Sequence, residues 1–478
     1  MTVPSADTRP EQLKRTLTTP KIVFLVVSAA APLAAMVGTV PLAFSIGNGP
    51  GVPAVFLFAG ATLLCFSVGY GAMGRHIVNA GGFYTYLSRG IGRPVAIAGG
   101  LVAVIAYNAV TVGVVGAFGY FAQTIAQAHG LSLPWEVWAA GGVLAMAFLG
   151  YRQVDLSARV LGLLMLGETA VLAILNVAII AHGGPDALPM ASFSPDAVFG
   201  TGLGVAMMFA FASFIGFESA ALYGEEARDP KRSVPLATYI AVGVIALFYA
   251  FTSWTAVGAI GVDQVRAVAG RQLGDLFFSL SDRHLGSVAT DVVQVLLCTS
   301  LFAAMLALHN AANRYVYVLG REHVLPAGFG AVHPKHQAPH RASLAQTAFT
   351  IVIVAAFAAG GADPYTGLVA SMIGLGTLGI VLLQAGAAVS VVAFFRRRPD
   401  RHWWRTALAP ALGAAGLTAG IVLLVVNYPL LTGTDAAVVN GLPWIYVIAT
   451  AAGIGYARWM RTARPDRYRR IATHDTEA

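Results

Sequence analysis

Residues 200–232 read GTGLGVAMMFAFASFIGFESAALYGEEARDPKR, and the fold turns on how this stretch is read. Its first two thirds are apolar enough to lie in a bilayer, yet Gly200, Gly202 and Gly204 crowd its start and Gly216 interrupts it just before Glu218. A charge at the bilayer centre costs at least about 2.5–3.5 kcal/mol on insertion scales, so Glu218 needs a local reason to be there. Irregular backbone at membrane depth is tolerated only where it is buried in protein or lines a cavity. The segment therefore reads as a broken membrane helix.

The rest of the chain agrees with a membrane. It has 478 residues, 57% hydrophobic and 11% charged, with a mean hydropathy of +0.71. Soluble chains carry roughly 25% charged residues, so a soluble enzyme is excluded. Spans are expected near 22–46, 52–74, 95–125, 134–151, 158–182, 198–223, 235–260, 286–309, 342–360, 364–395, 405–428 and 440–460. Twelve spans of about 22 residues match the apolar fraction and leave no room for a large extramembrane domain. The apolar run from Ile22 to Ile46 is too long for a signal-peptide core and is expected to stay as an anchor.

The net charge of +8 does not point to nucleic acid, because the basic residues fall in short groups between apolar runs. With an even number of spans and both termini inside, 27 of the 30 Lys and Arg lie on the inner side; only Arg266, Arg271 and Arg283 do not. That asymmetry predicts a multi-pass protein of the cytoplasmic membrane with both ends cytoplasmic. The loop 261–285, with LGDLFFSLSDRH, is expected to place a short helix on the outer surface, and RRRPDRHWWR at 396–405 to anchor at the inner interface. Cys65 and Cys298 fall inside spans with no metal-ligand spacing. No phosphate loop, nucleophile motif, metal cluster or cofactor motif is present, so an enzyme is not expected and any concentrating transport must draw on an ion gradient.

Five spans before the stretch at 200–232, span 1 reads SAAAPLAAMVGTVP at 28–41, with Pro32, Gly38 and Pro41 among small residues. Interrupted helices in equivalent positions of two halves mark the binding site of transporters built from inverted repeats. The expected division is a tail at 1–20, a first repeat at 21–182 (spans 1–5), a second at 198–395 (spans 6–10), two further spans at 405–460 and a tail at 461–478.

Three stretches carry a resemblance to a known family. FIGFESAALYGEEARDPKR at 214–232 resembles the sixth span and following loop of the amino acid-polyamine-organocation permeases. NAGGFYTYLSRGIGRP at 79–94 is similar to that family's loop before span 3, and ANRYVYVLGREHVLP at 312–326 to its loop after span 8. The resemblance implies an all-α fold of five-plus-five inverted-repeat, leucine-transporter type with two extra helices, working by alternating access around spans 1, 6, 3, 8 and 10. Where many members carry a Gly-Ser-Gly signature in span 1, this chain has Ala30, Ala31, Pro32, Leu33, Ala34 and Ala35. The break is expected between Ala30 and Met36.

Within the spans, Glu168 sits about ten residues into span 5, roughly 15 Å deep at 1.5 Å per residue. By the resemblance it falls where sodium-independent members often have a lysine. A buried glutamate there can bind and release a proton near neutral pH; it can equally make a fixed hydrogen bond to span 1 or 8, or help bind sodium with Thr299 and Ser300. Glu218 matches a family glutamate linked to gating or proton binding, or ties span 6 to span 3 or 10. Glu225 and Glu226, among Arg228, Lys231 and Arg232, are candidates for an inner ion-pair network, with solvated loop charge the commoner outcome.

A broken-helix pair meets an amino acid with backbone groups alone: amides at the start of a half-helix for the carboxylate, carbonyls at the end of one for the ammonium. The expected amides are those of Ala34, Ala35 and Met36, and the carbonyls those of Phe211, Ala212 and Ile215. Phe209, Phe214 and Phe217, with Tyr107 or Asn108 of span 3 and Ser371 or Thr377 of span 10, are candidates for the side-chain pocket. His309 and Asn310, near the inner end of span 8, are candidates for a proton path or, in the favoured reading, a hydrogen bond to a loop carbonyl, and Asn176 and Gln384 are expected in bonds between helices. The reading is a permease importing a small amino acid with protons; a sodium symporter, an exchanger or a polyamine carrier are the alternatives. A channel would need a continuous polar lining that these spans lack.

Overall fold

The computed structural model describes residues 17–77, 82–152, 158–224, 227–334, 338–396 and 398–471. Proline in the first turn starts several of the helices, where its missing N–H costs nothing. Helices α1 (Thr19–Ala29) and α2 (Pro32–Ser45) form span 1, and α3 (Val52–Gly74) span 2. The short α4 (Gly82–Gly90) leads into α5 (Arg93–Ala128), span 3; α6 (Trp135–Tyr151) and α7 (Ala158–Gly183) are spans 4 and 5. Span 6 is α8 (Leu203–Ser213) followed by a 3₁₀ helix, Phe217–Gly224, and span 7 is α9 (Pro230–Ile260).

The loop after span 7 folds into α10 (Val265–Gln272) and α11 (Leu276–Leu285), two short helices where one was expected. Span 8 is α12 (Ser287–Arg321), span 9 α13 (His340–Ala359), and span 10 α14 (Ala370–Phe395), entered through a π turn at Pro364–Val369. Then come α15 (Ala409–Val426), α16 (Trp444–Ala463) and the short α17 (Pro465–Arg470). Among the described residues ten helices are long and apolar enough to cross a membrane. The other two expected spans, 134–151 and 440–460, coincide with α6 and α16, of 17 and 20 residues.

Helix α5 is the axis of the bundle: 78% of its most apolar window is buried, against 28% for α13. It packs on α12, α14, α16 and α6. Its contact with α14 is close because Gly376 and Gly379 face Val110 and Ala106; a methyl on Gly379 would meet the Ala106 methyl at 2.6 Å. Helix α3 packs on α9 and α15, α1 on α9 and the 3₁₀ helix, and α2 on α8 and α10. The two last spans brace span 10 through tyrosines: Tyr446 Oη donates to Leu375 O at 2.7 Å and Tyr428 Oη to Ser371 O at 3.0 Å.

The basic loops gather at the face where α1 begins, called here the basic face. There, Arg228 N–H donates to Leu17 O at 3.0 Å, joining the start of span 1 to the segment after span 6. At the far face, Arg266 of α10 donates from Nη1 to Gly47 O at 2.7 Å and from Nη2 to Thr201 O at 3.2 Å. One of the three basic residues that break the charge asymmetry thus holds the far ends of spans 1 and 6 together. Above α2, Tyr365 is fully buried, stacks on Tyr120 with ring centroids 4.7 Å apart, and donates to Gly38 O at 3.0 Å.

Candidate functional site between two helix breaks

The first break follows from Pro32. Proline cannot donate to residue 28 and pushes the residue before it out of the α region. Ala31 accordingly sits in the left-handed region at φ 45°, ψ 70°, a conformation disfavoured for any residue with a side chain. The break lies at Ala30–Ala31, the leading edge of the 30–36 interval. Helix α2 then opens with Leu33 and Ala34 amides that have no partner four residues back along a continuous helix.

Glu168 fills one of these vacancies. Its Oε2 accepts the Leu33 N–H at 3.2 Å across 135 residues of sequence, with the side chain 3% exposed. Ser300 of α12 lies beside the carboxyl, but outside hydrogen-bond geometry, so its buried Oγ is unpaired among the described residues. Thr299 is turned away, exposed and bonded to Val295 O and Leu296 O of its own helix. On the other side of the break, Tyr249 Oη of α9 donates to the freed Ala30 carbonyl at 3.3 Å. Of the three expected amides, that of Ala35 is used by Ala31 O at 2.9 Å. Met36 lies one residue deeper in the helix, where regular pairing occupies its N–H. The amides at the mouth of α2 are those of Leu33 and Ala34, and Ala34 is half-buried.

The second break is made by glycine. Gly216 has φ +112°, and a Cβ there would lie 2.7 Å from Ala29 O. Only glycine permits this approach, which brings the two breaks into backbone contact. Helix α8 ends in a tightened turn in which Phe214 N–H donates to Phe211 O and Ile215 N–H to Ala212 O, both at 3.1 Å. Those two carbonyls keep only their second lone pairs. Ile215 O accepts no backbone hydrogen bond among the described residues. Beyond the break, Glu218 turns back on its own chain: Oε2 accepts Gly216 N–H at 3.0 Å, while Oε1 accepts Tyr107 Oη at 2.9 Å. Tyr107 stacks on Tyr315 of α12 with centroids 5.5 Å apart.

A pair of hydroxyls joins the half-helices on the far side of the breaks. Thr39 Oγ1 and Ser213 Oγ are 3.0 Å apart, and each also bonds its own helix, to Ala35 O and Phe209 O. Around the breaks the structure therefore gathers Ala34, Ala35, Met36, Tyr107, Ala212, Ile215, Glu168 and Glu218. Other candidate side chains face elsewhere, Phe211 offering the break only its carbonyl. The Phe211 ring lies against Gly420 of α15, Phe214 packs on Tyr249 and Phe217 on Phe66. Phe209 is fully buried, Asn108 bonds Val104 O of its own helix, and Thr377 bonds Ile373 O. Ser371 is buried where Tyr428 meets its carbonyl.

His309 bonds the Ser343 hydroxyl of α13 at 3.0 Å, a helix–helix contact where a loop carbonyl was expected. Asn176 links α7 to Thr252 and Thr255 of α9, both at 2.9 Å. Gln384 leaves its Oε1 unpaired among the described residues. Glu225 and Glu226 lie outside the described residues. Sequence reading missed Tyr249, Thr39 and Ser213. The signal for Tyr249 was a hydroxyl in the middle of ALFYAF, which at that depth has to find an acceptor.

Two broken helices crossing back to back, each with a carboxyl on its freed backbone, inside a bundle of long apolar helices, define a multi-pass membrane transporter. The chain belongs to the amino acid permease family, whose model matches residues 17–454. It is 24% identical to the branched-chain amino acid permease BcaP of Bacillus subtilis over 74% of this chain and 76% of that protein. It is also 24% identical to the methylthioribose transporter of the same organism, over 88% and 89%. In fold it matches the crystal structure of MhsT in complex with L-phenylalanine, with a TM-score of 0.57 and 13% identity, over 87% of this chain and 99% of that one. The fold is of the leucine-transporter type, and the protein is a transporter, not an enzyme.

Proposed function

We propose that the protein carries a small amino acid by alternating access and couples it to a proton held on Glu168, with the basic face toward the cytoplasm. The observation that carries this reading is the Glu168–Leu33 hydrogen bond. The carboxyl caps the same half-helix whose Ala34 amide is placed to receive a substrate carboxylate. With Glu168 ionised, two negative groups would share one helix start. A proton on Glu168 removes that repulsion, and the new O–H has an acceptor in the unpaired Ser300 Oγ. Substrate and proton then bind together and leave together, which is symport. The substrate ammonium is met by Ile215 O and by the second lone pairs of Phe211 O and Ala212 O.

Two features support this over a sodium site. Thr299 faces away from Glu168, which leaves Ser300 as the hydroxyl from that pair. Sodium would also need several oxygens at once, as hard cations do. Access from the basic face fits the exposure of Ala29 beside the break and the burial of Tyr365 above α2. The amino acid class is supported by the family and by BcaP.

The test is uptake into proteoliposomes from a panel of labelled amino acids plus methylthioribose, with a pH gradient or a sodium gradient imposed alone. Accumulation is expected with the pH gradient and an amino acid, and Glu168→Gln is expected to keep exchange and lose accumulation. A sodium requirement, or normal accumulation by the variant, overturns the coupling; uptake of the sugar alone overturns the substrate class.

A further inference from the structure

Away from the breaks, the start of span 3 meets the end of the described chain. Arg93, the first residue of α5, donates from Nε to Ile471 O at 3.2 Å and from Nη2 to Arg469 O at 3.0 Å, with its guanidinium 5.5 Å from the Tyr468 ring centroid. These contacts hold α17 against the basic face and leave the Nη1 donors of Arg93 unspent among the described residues. Between the two segments is a cavity of about 400 Å³ whose polar lining is Ser88, Arg89, Arg93 and Tyr468. Among the described residues no carboxylate lines it. Neither arginine has an ion-pair partner among the described residues. Two guanidiniums beside one cavity repel each other unless an anion sits between them.

The surroundings place this cavity at headgroup depth. Ile91, between the two arginines in sequence, is 45% exposed, and Trp459, on the helix that leads into α17, is 48% exposed with Arg464 over its ring. Tryptophan and arginine mark the membrane–water interface, and an exposed isoleucine there faces lipid. Arg467 and Arg469 of α17 add positive charge nearby, against one acid, Asp466. The volume is that of a small-ligand site, about 300–1,000 Å³.

We propose that this cavity binds the phosphate of an anionic phospholipid headgroup, with Arg89 as the main ligand and Ser88 and the free Nη1 of Arg93 completing the set. A guanidinium fork fits phosphate oxygens bidentately, and basic pockets between helices at this face are where such headgroups are held. The bound lipid joins the α4–α5 corner to the C-terminal helix, beside the element that carries Tyr107.

The test uses the full chain in phosphatidylcholine nanodiscs with increasing phosphatidylglycerol, reading retained lipid by native mass spectrometry and melting temperature in parallel. Wild type is expected to retain phosphatidylglycerol in preference, Arg89→Gln to weaken that preference about fivefold, and Arg89→Lys, which keeps the charge and loses the fork, to fall between the two. Arg93 is left intact so that α17 stays docked, and equal melting of all variants in pure phosphatidylcholine checks the fold. A parallel arm adds inorganic phosphate to phosphatidylcholine nanodiscs. Arg89-dependent protection by inorganic phosphate alone would keep the phosphate site and make its source soluble. No preference in wild type, or an unchanged preference in Arg89→Gln with Ser88→Ala, overturns the proposal.

Discussion

The two helix breaks do the same job with different materials. Span 1 is broken by a proline that forces an alanine into the left-handed region, and its freed amide is capped by a carboxyl from another helix, 135 residues away. Span 6 is broken by a glycine that takes φ +112° without strain, and its freed amide is capped by a carboxyl two residues further on. Both oxygens of Glu218 are occupied by hydrogen-bond donors, from Gly216 and Tyr107, whereas Glu168 has one donor and an unpaired hydroxyl beside it. The difference assigns different tasks under the proposed cycle. Glu218 is a clamp that fixes the local shape of span 6. Glu168 is a bond between spans 1 and 5 that can be made or released by a proton.

The largest expected effect comes from Gly216→Val. A branched side chain at that φ costs about 1–3 kcal/mol of backbone strain before its Cβ meets Ala29 O. Uptake is expected to fall to background in proteoliposomes, with a lower melting temperature. Normal uptake would mean that the breaks do not need to touch, and the paired site would have to be abandoned.

Next is Glu218→Gln, set against Glu168→Gln. Losing a charged acceptor for two donors is worth about 1.5–3 kcal/mol, so substrate affinity is expected to drop roughly ten- to a hundredfold. Tyr107→Phe removes one of the two bonds and is expected to cost about 1 kcal/mol. The double variant should be no worse than Glu218→Gln alone, since the residues share one bond. The sharper readout is coupling: Glu218→Gln keeps pH-driven accumulation at reduced affinity. Were it instead to exchange without accumulating, the roles of clamp and proton carrier would be the wrong way round.

Much of this arrangement was legible in the sequence, and what was not has a physical reason. Pro32 and Gly216 announce the breaks because each acts on its own backbone. The depth of Glu168 follows from counting along one helix. Its partner does not, because which amide the carboxyl reaches depends on how α7 lies against α2. The same limit explains the aromatic candidates. Phe214 and Phe217 adjoin the break in sequence, yet the turn at Gly216 sends both rings into the packing against Tyr249 and Phe66. Arg266 was visible only as an exception to the charge asymmetry, since its acceptors, Gly47 O and Thr201 O, are backbone atoms of distant segments.

A smaller effect tests the strain in span 1. Ala31→Gly removes a left-handed penalty of about 1–2 kcal/mol, offset in part by the entropy of a more flexible unfolded chain. The variant is expected to melt at or slightly above the wild-type temperature and to transport normally. A clear loss of transport would show that the alanine methyl has a role of its own, and the two breaks would then differ in function as well as in construction.

The smallest effect separates Glu168 from another group whose titration a pH gradient would reach. His76, at the basic end of span 2, lies 2.9 Å from Asp400. Burial, and then the Arg398 charge, hold its imidazole below the ordinary 6.5, with Asp400 pulling the other way. Because the folded value is depressed, the contribution of the neutral ring is complete above pH 6.5 and is lost as pH falls through the lower folded value. His76→Gln is therefore expected to flatten the fall in melting temperature on the acid side while leaving pH-driven uptake as it was. If uptake in this variant lost its dependence on the pH gradient, the proton would be read at the basic face, and the bond between Glu168 and Leu33 would be a structural tie like that of Glu218.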